Sequence, residues 1–442
     1  MIKKHYQKLK GLGIKGYFKY LFSFMKDPDH NELIKKSGIA FIFKILSVIL
    51  AFIVTIYITR VYGAEVYGLY SLSISLLFII CILTVSGLDM VLLRFVASES
   101  KKIVKNIYFK SLGISFVLGI IFSVLLFIFS PFLAVNIFNN IELITYLRVI
   151  AFMIIPFSFL ALNSESLRGM KDIFKYALVY KNGFLFYVFV LIGLFFYDVK
   201  IAIIFGIVGV MLVSFYLWLK KSKILKFKSK NFETKKIFKI AFPLLLGAPM
   251  LIMINKIDTV MLSYFLDEAK VGIYNVALRI GSLMTFVLYS INSIAAPKFS
   301  YFYKKKDFNS MKKLTKMSTK IITFLTLPFF LVIILFPKFI MSFFGPEFSV
   351  GWVTLIIVVI GQLINAISGP VVYLLNMTGK QKDFRNIMGV SVLINIILNA
   401  IFIPLFGIIG AAIASTISYI YWNIVMNMKI KKYYGFYTFF FV

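Results

Sequence analysis

Across 442 residues the chain is 61% hydrophobic and 15% charged, too apolar for an ordinary soluble globule. A formal charge of +32 would point to nucleic acid in a soluble protein, but here the basic residues flank apolar runs, so nucleic acid is set aside in favour of anionic lipid at a membrane surface. The single cysteine, Cys81, and the only histidines, His5 and His30, leave almost no room for a disulfide framework, a zinc site, or a Cys/His or Ser/His nucleophile.

Residues 1–36 are rich in lysine and interleaved aromatics, among them Tyr6, Tyr17, Phe18 and Tyr20, which suggests a basic cytoplasmic segment with an interfacial amphipathic helix. Gly11, Gly13 and Gly16 weaken that helix. No early apolar core precedes a small-residue cleavage site, so no signal peptide is expected. About twelve apolar segments then follow, each of roughly the 20 residues a helix needs to cross ~30 Å of hydrocarbon. The expected spans are 37–59, 68–92, 108–131, 143–166, 174–197, 201–220, 237–265, 271–296, 317–337, 350–375, 384–404 and 408–428. Most of the 49 lysines and arginines fall in every second connection, while the others hold only Arg60, Lys200, Lys270 and Lys338. This is the positive-inside pattern, and it places both termini in the cytoplasm of a multi-pass cell-membrane protein.

The basic stretch 220–236 divides the spans evenly. The expected organisation is therefore an N-lobe at 37–219, a cytoplasmic linker at 220–236, a C-lobe at 237–430 and a cytoplasmic tail at 431–442. The halves echo each other. "AEVYGLYSLS" (64–73) and "EAKVGIYNVA" (268–277) align Gly68 with Gly272 and Tyr70 with Tyr274, and "LRGMKDIFK" (167–175) is similar to "MTGKQKDFR" (377–385). The fold class is thus all-α integral membrane, with two six-helix bundles as parallel repeats around a central cavity.

A few charges lie inside spans, where each costs several kcal/mol unless it faces a partner or a wet cavity. Lys44 is in span one, Arg148 in span four, Lys256 and Asp258 in span seven, and Arg279 in span eight. An internal pair of Asp258 with Lys256 or Arg279 is the simplest structural explanation, and Lys44 and Arg148 could snorkel to the nearer face. Four cations against one anion nevertheless leave an excess of positive charge, which points to an anionic substrate and makes Lys44, Lys256, Arg279 and Arg148 the candidate substrate-binding residues of a cationic cavity. Asp89 and Arg94, near the basic end of span two, are assigned a structural or gating role. Arg60 and Glu65 are expected to pair at a surface turn. Tyrosines could line a sugar-binding cavity, since each offers a ring face and a hydroxyl. Neither catalytic nor metal-binding residues are assigned.

The segments "TRVYGAEVYGLYSLS" (59–73), "GLDMVLLRFVAS" (87–98), "LRGMKDIF" (167–174), "FPLLLGAPMLIMINKIDTVMLSYFLDEAKVGIYNVALRI" (242–280) and "GIIGAAIASTIS" (407–418) resemble the Wzx-like polysaccharide-biosynthesis flippases of the multidrug/oligosaccharidyl-lipid/polysaccharide exporter superfamily. The resemblance implies two lobes forming a V, alternating access, and transfer of a lipid-pyrophosphate-linked oligosaccharide from the inner to the outer leaflet. It implies cavity roles for Lys44, Lys256 and Arg279, and matches Asp258 to an acidic position of span seven. Asp258 is accordingly a candidate coupling-ion site, with Na+ or H+ as the ions considered and no cofactor. The expected partners are the lipid-linked oligosaccharide, membrane lipids and other polysaccharide-assembly proteins, around a monomer. Two transport alternatives are a cation-coupled multidrug exporter and a lipid II flippase. A glycosyltransferase, O-antigen polymerase or ligase would need larger external loops, and a channel or scaffold has no supporting signature.

Overall fold

The computed structural model describes residues 28–180, 183–223, 226–245 and 248–439, and among these every regular element is a helix. The first helix, α1 (Pro28–Val85), is long enough for two crossings and kinks at Gly63, whose φ of 82° favours glycine. Then come α2 (Leu88–Ser98), α3 (Lys101–Phe132, prolonged by a wider turn Leu133–Ile137), α4 (Leu143–Gly169), α5 (Ile173–Val179), α6 (Phe184–Phe196) and α7 (Val199–Ser222). The second half holds α8 (Thr234–Leu245), α9 (Ala248–Phe265), α10 (Glu268–Lys304), α11 (Phe308–Leu335), α12 (Pro337–Ser342), a tight turn Pro346–Gly351, α13 (Trp352–Ile367), α14 (Val371–Met377), α15 (Gln381–Phe406) and α16 (Ile408–Tyr434).

Ten of the described helices are long and apolar enough to cross a membrane. Counting both arms of α1 and adding the α8–α9 pair gives the expected twelve. The side chains fit a lipid solvent: Phe116, Val117, Ile120, Val124 and Ile128 of α3 are exposed, while Ser111 and Ser115 of the same helix are buried. Several spans are interrupted rather than continuous helices. Span two breaks between Val85 and Leu88, span five between Val179 and Phe184, and span ten between Ile367 and Val371, where Gly369 and Pro370 interrupt the ladder. Much of the expected N-terminal interfacial helix falls in 1–27, outside the described residues.

The stretch between α7 and α8 is tied to the start of α3. Lys105 Nζ donates to Phe227 O at 2.9 Å, and Lys110 Nζ to Asn231 Oδ1 at 2.9 Å and Phe232 O at 2.7 Å. Beyond α16 the chain folds back, and Thr438 is fully buried, donating its amide to Asn427 Oδ1 at 2.8 Å.

The two halves meet along α1 and α10. At the face carrying the short, neutral connections, a Cβ on Gly68 would lie 1.9 Å from Glu268 O, and a Cβ on Gly272 would lie 2.2 Å from Ala64 O. Each glycine of the repeat thus packs on the carbonyl four residues before its counterpart. Arg60 Nε donates to Phe343 O and Glu347 Oε1 accepts from Ala64 N, both at 2.8 Å, so this face is closed by bonds between halves. The expected Arg60–Glu65 pair is not formed; Arg60 reaches across the seam instead.

Candidate functional site

The α1–α10 seam carries two half-buried cations, Lys256 and Arg279, and the exposed Lys44 lies along it. Arg279 projects from α10 toward first-half tyrosines, its Nη1 donating to Tyr187 OH at 3.4 Å, with Tyr67 and Tyr70 close by. Lys256, on α9, places its ammonium 5.4 Å from the Phe78 ring centre and lies within electrostatic range of Arg279. The second half therefore supplies the charges and the first half supplies the aromatic wall. Lys44 makes the reciprocal arrangement nearer the basic face. From the first half it sits 5.6 Å from Phe286 and 5.7 Å from Tyr289 of α10. Among the described residues no carboxylate forms an ion pair with any of these three cations. A cation over a ring recovers about 2 kcal/mol at most, so the half-buried Lys256 and Arg279 gain from the rings less than a counter-charge would give them, while the exposed Lys44 keeps part of its water.

Asp258 does not join them. It is 1% exposed and turned into the second half, away from Lys256. Its Oδ2 accepts from Tyr274 OH at 2.7 Å and from Ser415 Oγ, and its Oδ1 accepts from Asn399 Nδ2 at 2.7 Å. Asn395 completes the cage, accepting from Asn399 at 3.2 Å and donating to Ser415 Oγ at 3.2 Å. The expected internal pair with Lys256 or Arg279 is therefore replaced by a cage of neutral groups. Two residues apart on one helix, Lys256 and Asp258 point in different directions, which spacing alone indicates. The cage was not foreseen, although Asn395 and Asn399 stand one turn apart in an apolar span, and polar residues there are a signal in themselves.

Arg148 is also placed apart. It is exposed, stacking 5.1 Å from the lipid-facing Phe127, so it does not belong to the seam cluster. Arg94 is exposed, and Asp89 accepts from the Met90 amide at 2.8 Å. Glu165 and Arg168 pair at 3.1 Å, and Arg168 also covers the Tyr176 ring at 5.5 Å.

Residues 33–303 match the family model described as polysaccharide biosynthesis protein. The chain belongs to that family. A second model, MatE, matches residues 243–401 of this polysaccharide biosynthesis protein. A probable flippase of Haloferax volcanii is 28% identical over 165 residues, 37% of this chain and 35% of the relative. A probable low-salt glycan biosynthesis flippase of the same organism is 31% identical over 166 residues, 37% of this chain and 34% of the relative. The match thus spans about a third of the length of each. An uncharacterized membrane protein of Methanocaldococcus jannaschii is 25% identical over 364 residues, 75% of this chain and 71% of that one. The fold is that of a lipid II flippase MurJ in an inward closed conformation, at TM-score 0.71 and 18% identity over 90% of this chain and 87% of that one. It is shared with an inward-facing multidrug resistance MATE family transporter of the MOP superfamily, at TM-score 0.68 and 15% identity over 88% of this chain and 94% of that one.

Proposed function

We propose that this protein of the polysaccharide biosynthesis family is a flippase that moves an anionic, lipid-linked oligosaccharide across the cell membrane by alternating access, without a covalent step. The observation that carries the reading is the pair of undercompensated cations, Lys256 and Arg279, in the seam where the halves meet. A pyrophosphate entering there exchanges part of its water shell for two charge-assisted donors, and the cations gain the counter-charge that the protein withholds. Tyr67, Tyr70 and Tyr187 offer ring faces and hydroxyls to the adjoining sugars. Lys44, nearer the basic face, meets the head group first.

The basic connections lie in the cytoplasm in this reading, so the closed neutral face is the outer one. The lobes, 37–219 and 237–430, rock as units about the α1–α10 seam, and the 220–236 stretch joins them. Asp258, caged by neutral groups, is the coupling site, and Na+ or H+ is its cargo. Two features support this: among the described residues the buried carboxylate forms no ion pair, and the hydroxyl oxygens of Tyr274 and Ser415 that donate to it, with the amide oxygens of Asn395 and Asn399 beside it, have lone pairs that a small cation can share. The MatE match over 243–401 favours a multidrug reading, but a seam lined by Lys256 and Arg279 repels an organic cation.

The test is reconstitution with a fluorescent polyprenyl-pyrophosphate oligosaccharide. Wild-type protein should deliver the lipid to the opposite leaflet, while Lys256→Gln with Arg279→Gln should not. Equal delivery by both, or transport of a lipophilic cation instead, refutes the assignment.

A further inference from the structure

The Asp258 cage is the upper end of a longer polar row. On α16, Ser415, Tyr419, Asn423 and Asn427 recur at every fourth residue, which places them on one face of the helix over a rise of about 18 Å. All four are almost completely buried inside an apolar bundle. Across from them, Gln362 of α13 donates to Tyr419 OH at 3.5 Å, and Asn365 Oδ1 accepts from Asn423 at 3.3 Å. At the lower end Asn427 Oδ1 accepts from Thr438 Oγ1 at 2.7 Å, and Thr319 Oγ1 donates to Thr438 O at 2.9 Å. The row runs from Asp258 toward the face bearing Lys429, Lys431 and Lys432.

Buried polar side chains in a membrane protein often only fasten helices together, and then they satisfy one another. The first half contains that case: Asn163 accepts from Tyr108 OH at 2.6 Å and donates to Ser214 Oγ at 3.1 Å, so both ends of its amide are used. The α16 row differs. Three amide oxygens along it, Asn399 Oδ1, Gln362 Oε1 and Asn423 Oδ1, are buried with no donor among the described residues. An orphaned buried acceptor is costly, and such groups in native proteins are answered by water or an ion. Between Asp258 and Thr438 the row offers amide and hydroxyl groups and no further charge, a lining that hydrates a small hard cation without trapping it.

We propose that this row is a hydrated file conducting a small monovalent cation between Asp258 and the basic face, with the folded-back Thr438 segment seated at its foot. The proposal rests on reading Asp258 as the coupling site, and the experiment separates the two. In a Cys81→Ser background, Asn423→Cys and Gln362→Cys report on access of Ag+, a cation that permeates such files and reacts with thiols. Met426→Cys, from the dry core of the same helix, is the control. Applied from the basic face in membrane vesicles, Ag+ should modify the thiols at 423 and 362 at least tenfold faster than the thiol at 426, and Thr438→Val should raise those rates further. Folding of each variant is checked by its elution and Tm; rates at both 423 and 362 no faster than at 426 overturn the file.

Separately, Na+ at constant ionic strength should raise the Tm of wild type and Asn423→Leu but not of Asp258→Asn, while radiolabelled Na+ flux into proteoliposomes falls at least tenfold in Asn423→Leu. Wild-type flux in Asn423→Leu, with the Tm rise intact, overturns the file and leaves the coupling site standing. Ag+ reactivity with no Asp258-dependent Tm rise removes Na+ as the cargo of Asp258 and leaves a hydrated file.

Discussion

Lys256 and Arg279 differ from Arg148 in what surrounds them. Their neighbours are aromatic rings from the opposite half, so neutralising either removes charge from the seam and leaves its packing almost intact. Lys256→Gln and Arg279→Gln should each reduce flipping at least tenfold, equivalent to about 1.4 kcal/mol or more, with insertion and Tm near wild type. Arg148→Gln should leave flipping within about twofold, because Arg148 stacks on the lipid-facing Phe127 away from the seam. The presence of ionisable residues within the spans was legible in the chain. Which of them converge was not, because convergence depends on helix rotation. Lys256 and Arg148 look alike as isolated cations, and only packing turns one inward and the other to lipid.

At the scale of elements, the breaks in the spans matter more than their lengths. The turn between α4 and α5 is clasped to α7 through Asp172, which pairs with Lys175 at 3.1 Å and Lys221 at 3.4 Å. Partial burial pushes the Asp172 carboxyl up, but hydrogen bonds from Lys175 and the two ammonium charges outweigh it and hold the group below the usual carboxylate range. A group whose pKa falls on folding stabilises above its unfolded value of about 3.9, and that contribution fades as pH drops through the folded value. Asp172→Asn should therefore lower Tm modestly at neutral pH, by the equivalent of about 1 kcal/mol or less given the exposure of Lys221, and the gap should close as pH falls below the usual carboxylate range. Thermal unfolding in detergent across that range checks it. Hydropathy located the spans, but it averages over windows longer than a turn. The interruptions at 86–87 and after Val179 are invisible to it, whereas Pro370 beside Gly369 was a local signal for the third.

For the whole molecule, transport in this reading requires the halves to part at the neutral face. Arg60 and Phe343 mark the place, since one bonds the other across the seam. In a Cys81→Ser background, Arg60→Cys with Phe343→Cys, joined by a short bifunctional maleimide, should arrest flipping, and either single variant treated alike should not. Continued flipping by the joined protein would mean that the seam does not open there. The duplicated architecture was readable from the echo of 64–73 in 268–277, but the meeting of the two echoing segments was not. Similar segments need not touch, and here they do so because both copies place a residue without a side chain at the crossing.

That crossing binds the histories of the two copies. A bulkier residue at 68 would strike backbone that belongs to the other copy, and the same holds at 272. No change of side chain in the struck partner can relieve a collision with its main chain. A lineage of such proteins can diverge in charge and in loop length, yet at this point neither copy is free to change alone.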